Sequence, residues 1–203
     1  MVNNLKIIKP LLNFTSEDDY YFLQVIVRKK DRDSLPFKLG GSNNNSRLIK
    51  AYYVSSIEYL ENRYEEIKAL CDLFHARAMI CLNKRSYYSS SHQMMVQLAQ
   101  SIQSKNYRNS AMWNNVSGKY HPVKDKTWIL DIDEDEDNAD FLYNLEMYIL
   151  NQQPNEGESK TIIGIPSKTG RHIITKPFDL QGFREEFPTL DIHKNNPTNL
   201  YIP

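Results

Sequence analysis

Residues 128–137 read WILDIDEDED, a short apolar run followed by six carboxylates in seven residues. If the apolar part is a strand, side chains alternate across it, so Asp131 and Asp133 share one face about 7 Å apart and Ile132 points the other way. Carboxylates at that spacing can each reach one of two divalent ions about 3.5–4 Å apart, as two-metal catalysis requires. Oxygen-only ligation favours Mg2+ or Mn2+ over zinc. Two like charges 4 Å apart repel by about 4 kcal/mol at an effective dielectric near 20. A bound cation relieves that repulsion, and so does plain hydration of a soluble acidic loop, so spacing alone leaves both accounts open.

Of two other carboxylate chemistries, one fails on the residues and the other fits them poorly. A calcium loop of the EF-hand type needs Gly at its sixth position and Glu at its twelfth. Counted from Asp131, those positions hold Glu136 and Leu142. A phosphatase of the haloacid dehalogenase type wants Thr two residues beyond its second Asp, where this chain has Asp135.

A second concentration of chemistry lies downstream in IIGIPSKTGRHIITK, where two strands flank a tight turn. Gly170 permits close backbone approach to a ligand. Lys168, Arg171, His172 and the hydroxyls of Ser167 and Thr169 are donors suited to a triphosphate. Taken singly, each has a structural or solvated alternative.

The elements that must position these groups are legible from periodicity. Strands are expected over Tyr20–Arg28, Arg47–Val54, Arg77–Leu82 and Thr127–Asp133, as a hairpin over Thr161–Ile165 and Arg171–Lys176, and as short terminal strands at Leu190–Ile192 and Leu200–Ile202. A helix capped by the box Ser55-x-x-Glu58 carries the stripe Ile57, Leu60, Tyr64, Ile67, Cys71 and Phe74. Another follows Ser89–Ser91 with Met94, Met95, Leu98 and Ile102 as its apolar face. A third carries Phe141, Leu142, Leu145, Tyr148 and Ile149, and Asp179 is expected to cap a short last helix. Asp31–Ser46 reads as a loop, and Ser104–Lys126 as the least regular region and a functional loop. Strands and helices interspersed in this way predict an α+β fold with a mixed sheet.

Bulk properties narrow the class. A chain of 203 residues, 40% hydrophobic and 25% charged, is expected to form one domain with a real core. No apolar run is long enough to span a membrane. The start lacks the features of an export signal, so the sequons at Asn13, Asn44 and Asn115 carry no weight and a cytoplasmic location is expected. Cys71 and Cys81 form no C-x-x-C pair, and Cys71 falls on a core stripe. The formal net charge is zero, but its distribution is uneven. Lys105, Arg108, Lys119, Lys124 and Lys126 form a basic segment just ahead of the acidic one, a pairing suited to holding both phosphate and metal.

A strand ending LDID, then a helix, then a small-x-His motif (Gly170-Arg171-His172) opening another strand resembles the archaeo-eukaryotic primase superfamily. Leu190-Asp191 matches the family's third motif, a hydrophobic residue followed by an acid; Asp179, the competitor, is better explained as a helix cap. The resemblance covers about Arg47 to the C-terminus, with residues 1–46 supplying N-terminal helix, strand and loop elements. It implies an RRM-like palm flanked by helices and template-directed nucleotidyl transfer in DNA replication. Asp131, Asp133 and Asp191 would hold two Mg2+ or Mn2+ ions, one activating the attacking 3′-hydroxyl and the other neutralising the departing pyrophosphate. Ser167, Lys168, Gly170, Arg171 and His172 would bind the nucleoside triphosphate. Asn83, Arg85 and the basic segment would follow a single-stranded DNA template, with Tyr107, Trp113 and Tyr120 placed to stack on bases or to pack in the core. A non-catalytic nucleic-acid- or nucleotide-binding replication accessory of the same fold is the alternative, and a metal-dependent phosphohydrolase a third. The cysteines and histidines make no zinc spacing, and no G-x-x-x-x-G-K-[ST] motif is present. A separate helicase or other replication protein would then open and load the template.

Overall fold

Residues 1–29, 46–119, 126–154 and 157–203 are described by the computed structural model. Along the chain the elements are β1 (Val2–Asn3), α1 (Leu5–Ile8), a 3-10 turn (Lys9–Leu11), β2 (Asp19–Val27), β3 (Arg47–Val54), α2 (Ile57–Phe74), β4 (Arg77–Ile80), β5 (Arg85–Ser86), α3 (Tyr87–Gln103) and α4 (Met112–Lys119). They continue as β6 (Trp128–Asp133), α5 (Ala139–Asn151), β7 (Thr161–Pro166), β8 (Gly170–Thr175), α6 (Phe183–Glu186), β9 (Asp191–His193) and β10 (Thr198–Ile202). The result is an α+β fold with two sheets, ordered β1-β10-β4-β2-β3 with β5 on β2, and β7-β8-β6-β9.

Every pairing among the described strands is antiparallel, where a mixed sheet is the expectation from element order. The reason lies in the crossovers. Helix α2 links β3 to β4, yet β2 lies between them and runs against both. Helix α5 links β6 to β7, and β8 separates those two in the same way. Parallel strands therefore exist in each sheet but never touch. The second sheet, β6-α5-β7-β8-α6-β9, is a split β-α-β-β-α-β unit of the ferredoxin-like, RRM type.

Alternation decides what each strand buries. On β2, Tyr21, Leu23, Val25 and Val27 enter the main core with Leu60, Ile67 and Cys71 of α2. Tyr20 and Phe22 face the other side with Cys81, where Trp113 stacks on Tyr20 and the Tyr20 hydroxyl bonds Ser90 and Ser117 at 2.8 and 2.9 Å. On β6, Leu130 and Ile132 pack with Leu145 and Ile149 of α5 and with Phe183 and Phe187. Each such buried Leu or Ile contributes about 1.5–3 kcal/mol relative to exposure, which holds β6 in register. Ile129, Ile165 and Ile174, on the opposite face of the second sheet, join the main core. Cys71 is buried as expected, and burial pushes its thiol up to about 12.

Local signals shift where the backbone offers a better partner. The cap of α2 is Ser56, which accepts from the Tyr59 amide, and the cap of α3 is Ser86, which accepts from Ser89. Neither Ser55 nor Ser89–Ser91 plays that part. Helix α6 begins after Gly182 in a left-handed conformation with no side-chain cap, while Asp179 accepts from the Gln181 amide in a local turn. Ser104–Lys126 contains α4 and is not simply a loop. The expected apolar face of α3 does not enter the core: Met95 is 67% and Ile102 55% exposed. The loop over Asp31–Ser46 falls almost wholly outside the described residues.

At the start of β2, Asp19 accepts from the Thr15 and Ser16 amides, the Thr15 hydroxyl and Lys84. Burial alone would raise its pKa, but these donors outweigh burial and lower it to about 2. A depressed carboxylate stabilises the fold above its unfolded value and loses that contribution as pH falls through the folded one. Stability should therefore drop by about 2 kcal/mol between roughly pH 4 and 2. Denaturant titrations across that range should show the component in the wild type and not in Asp19→Asn; identical pH profiles would refute it.

Candidate active site

The central strands of the second sheet carry the two motifs side by side. Asp131 on β6 is the register partner of His172 on β8 and, on its other flank, of Asp191 on β9. Register partners project from the same face of a sheet, so these three groups form one row across β8, β6 and β9. Asp133, two residues on, faces the same way. Asp191, sixty residues along the chain from Asp131, is thus its neighbour because β9 completes the split unit beside β6.

His172 is buried and held from both sides. Its Nδ1 bonds the Thr198 hydroxyl of β10 at 2.8 Å, and its Nε2 lies 3.4 Å from Asp131 Oδ1. The hydrogen bond from His172 holds the Asp131 carboxyl below its usual range against the opposing effect of burial, with His193 and Arg28 adding to the depression. Asp131 is therefore kept as an anion. Around it opens a cleft of about 360 Å³ lined by Arg28, Arg77, Asp131, Asp133, Ser167, Lys168, Thr169, His172 and Asn199. The strand pair and the hairpin turn meet there, as the two motifs predict, and the first sheet supplies the basic side.

Packing by itself requires glycine at position 170. Its φ is +116°, and a Cβ there would lie 2.1 Å from the Ile132 carbonyl oxygen. The close approach is between β8 and the end of β6, where Gly170 is the register partner of Asp133. Arg171 departs from the expected grip on phosphate. It is the register partner of Ile132 and so belongs to the opposite sheet face, where its Nε sits 2.5 Å from Asp137 Oδ1. That pair, with Glu136 accepting from Thr189 and Asn138 capping α5, accounts for the tail of the acidic run. The run divides: Asp131 and Asp133 face the cleft, and the later acids close a turn.

Asp179 is excluded as the third carboxylate by position. Its amide donates to the Gln153 carbonyl, just past the end of α5, on the helix-covered side of the second sheet. Asp191 is exposed beside Asp131. The donor set suits a divalent cation in kind and in face, being three carboxylates on one surface. Among the described residues, however, no three His, Cys, Asp or Glu side chains stand close enough together to grip an ion as placed.

The expected template residues separate. Asn83 is buried and ties Thr127 and the Lys194 carbonyl together. Arg85 is 1% exposed and donates to the Ser117 and Asn83 carbonyls, with its charge over the Phe22 ring. Both hold the fold and present nothing to a template, a correction to their expected role. Lys105, Arg108 and Lys119 are exposed on and around α3 and α4, where Arg108 and Lys119 line a second groove of about 330 Å³ with Gln97, Gln100 and Asn115. Lys126 precedes β6, at the opposite end of that strand from Asp133. Trp113 packs with Tyr20 and Tyr87, while Tyr107 is 70% exposed. Lys124 and Tyr120 lie outside the described residues.

Arg28, Arg77, Thr198 and Asn199 have no counterpart in the motif reading. The two arginines are visible in sequence as basic residues bounding apolar strands, YYFLQVIVR and RAMICL. Nothing in NPTNLYIP signals that β10 threads the first sheet between β1 and β4 and delivers Thr198 to His172. Among known proteins, no family model, no curated protein and no solved structure matches the chain. No described helix is long and apolar enough to cross a membrane.

Proposed function

We propose that the cleft performs template-directed nucleotidyl transfer in DNA replication, with a single-stranded DNA template and nucleoside triphosphates as substrates. One observation carries this reading: Asp131, His172 and Asp191 stand in a row across three adjacent strands, with Asp133 on the same face and cationic residues opposite. Lys168, Ser167 and Thr169 of the turn, with His172, bind the triphosphate by charge and hydrogen bonding. Arg28 and Arg77 extend that cationic wall, which favours the negative charge that develops on the leaving pyrophosphate. Thr198 orients the His172 ring and Asp131 fixes its other nitrogen, so the imidazole is set before substrate arrives. Asp131, Asp133 and Asp191 would hold two Mg2+ or Mn2+ ions, which when bound acidify the 3′-hydroxyl and neutralise phosphate charge. Arg108 and Lys119 offer the template backbone a salt-sensitive track.

Primer extension and de novo priming with Mg2+ or Mn2+ test this directly. Synthesis that disappears in Asp133→Ala while single-strand binding persists is the expected result. The lack of a three-ligand cluster among the described side chains supports a second reading, a nucleotide- or nucleic-acid-binding accessory without turnover. Intact single-strand binding with no synthesis under either metal would select it.

A further inference from the structure

Helix α3 is amphipathic the wrong way round. Tyr88, His92, Met95, Ala99 and Ile102 follow at alternating steps of four and three, so they form one stripe along the helix, and all five are exposed. Tyr88 is 69% exposed, with its ring 4.4 Å from that of His92, and Val96 and Leu98 widen the apolar face on either side. Between Ser90 and Ser101 the residues that turn inward are Ser90, Gln93, Met94, Gln97 and Ser101, of which only Met94 is apolar. Ser90 bonds the Tyr20 hydroxyl and Ser101 bonds Asn109. A helix that serves only its own core points its apolar stripe inward. Contiguous apolar surface left outside marks a site of association.

Charge says what covers that stripe. From Tyr87 to Lys119 the chain contains no Asp or Glu, although acids make up 25 of its 203 residues, and Lys105 stands exposed just beyond the C-terminal end of α3. From Ile129 to Ser159 there is no Lys, Arg or His. That second stretch contains α5, whose inner face carries Leu145 and Ile149. Its outer face carries Tyr143, 65% exposed, and Met147 one turn on, flanked by the exposed acids Asp140 and Glu146. Exposed Glu134 and Asp135 precede its N-terminus. Laid antiparallel, an acid-free apolar helix and a base-free one bring Lys105 to Asp140, Glu134 and Asp135, an arrangement that both helix dipoles favour. Within one chain α3 packs through Tyr87 against the Tyr20 cluster and α5 against the Leu130 cluster, so each outer face is left to a second copy.

We propose that copies of this protein associate head to tail, the apolar stripe of α3 on one seated against Tyr143 and Met147 of α5 on the next, with Lys105 facing the acids at the start of α5. Such a heterologous contact builds a ring or an open chain. The groove holding Arg108 and Lys119 opens on another flank of α3, beside Gln97, Gln100 and Ser101, so the contact does not compete with it. The assembly is independent of the chemistry in the cleft. Its test is sedimentation velocity of the full chain over a wide range of concentration. The wild-type mass should rise above that of a monomer with concentration, and less so in high salt. Ile102→Glu on α3 and Met147→Glu on α5 should each weaken self-association by about 30-fold or more. Mixed together, those two variants should form a one-to-one dimer and nothing larger, since one keeps an intact α5 and the other an intact α3. Both positions are exposed, so thermal unfolding should match the wild type; Met95→Glu and Tyr143→Glu are the second pair should either variant fold poorly. A wild type that is monomeric at every concentration overturns the proposal. Self-association untouched by Met147→Glu also overturns it, because α3 would then meet another surface. A mixture of the two variants that stays monomeric does the same.

Discussion

Asp131→Asn is expected to lower template-directed incorporation by about a thousandfold while leaving the fold intact. The substitution keeps side-chain shape and removes only charge. Leu130 and Ile132, on the other face of β6, stay buried against α5, so the strand keeps its register. What changes is the partner of His172: an anion 3.4 Å from Nε2 becomes a neutral amide. The row across β8, β6 and β9 loses its central negative charge, and with it the most enclosed of the three carboxylates available to a divalent ion. Loss of one charge-stabilising group at a reacting centre costs about 100- to 1000-fold, and under the proposed function Asp131 would serve both ion and imidazole. The measurement is steady-state primer extension in Mg2+ and in Mn2+, with thermal unfolding of the same preparations. Asp179→Asn, altered on the far side of the sheet, should retain activity. Asp131→Asn activity within tenfold of wild type would remove Asp131 from the mechanism.

Gly170→Ala should destabilise the protein by about 3 kcal/mol or more, with loss of the cleft's geometry. Two independent costs add. The left-handed φ of +116° disfavours any L side chain, and the new Cβ would fall 2.1 Å from Ile132 O and 3.0 Å from the Asp133 carbonyl carbon. Both atoms are backbone, so no side-chain rotation relieves the overlap. The end of β6 must move away from β8, and it carries Asp133. Gly164→Ala on β7 is the matched control, because there the nearest atom is Ile173 Cδ1 at 3.4 Å, a side-chain end that can adjust. Denaturant midpoints should separate the two variants clearly. Equal, small losses would mean that β8 and the β6 terminus do not approach as closely as described.

How much was readable in advance differs between elements. The alternation in WILDID placed Asp131 and Asp133 on one face and Ile132 on the other, and the hairpin around SKTG was legible from its turn residues. Arg171 and His172 were indistinguishable as donors in the linear chain. Strand parity separates them, sending His172 to the cleft and Arg171 to Asp137. Asn83 and Arg85 read as nucleic-acid contacts only through what the family resemblance implies for the segment RAMICLNKRS. Packing of α4 and the β9–β10 turn over them makes both internal. The apolar stripe of α3 shows the reverse, with period but no burial.

Residue order by itself determined the α+β class, the strand that ends in paired carboxylates and the position of the histidine hairpin. These depend on side-chain period and turn chemistry, which act over a few residues. Only the tertiary structure decided that β9 lies beside β6, that Asp191 and not Asp179 adjoins Asp131, and that Thr198 and Asn199 from the end of the chain reach the cleft. Those contacts join residues many positions apart, and strand pairing across such distances is selected by the burial of whole sheets, not by any local pattern.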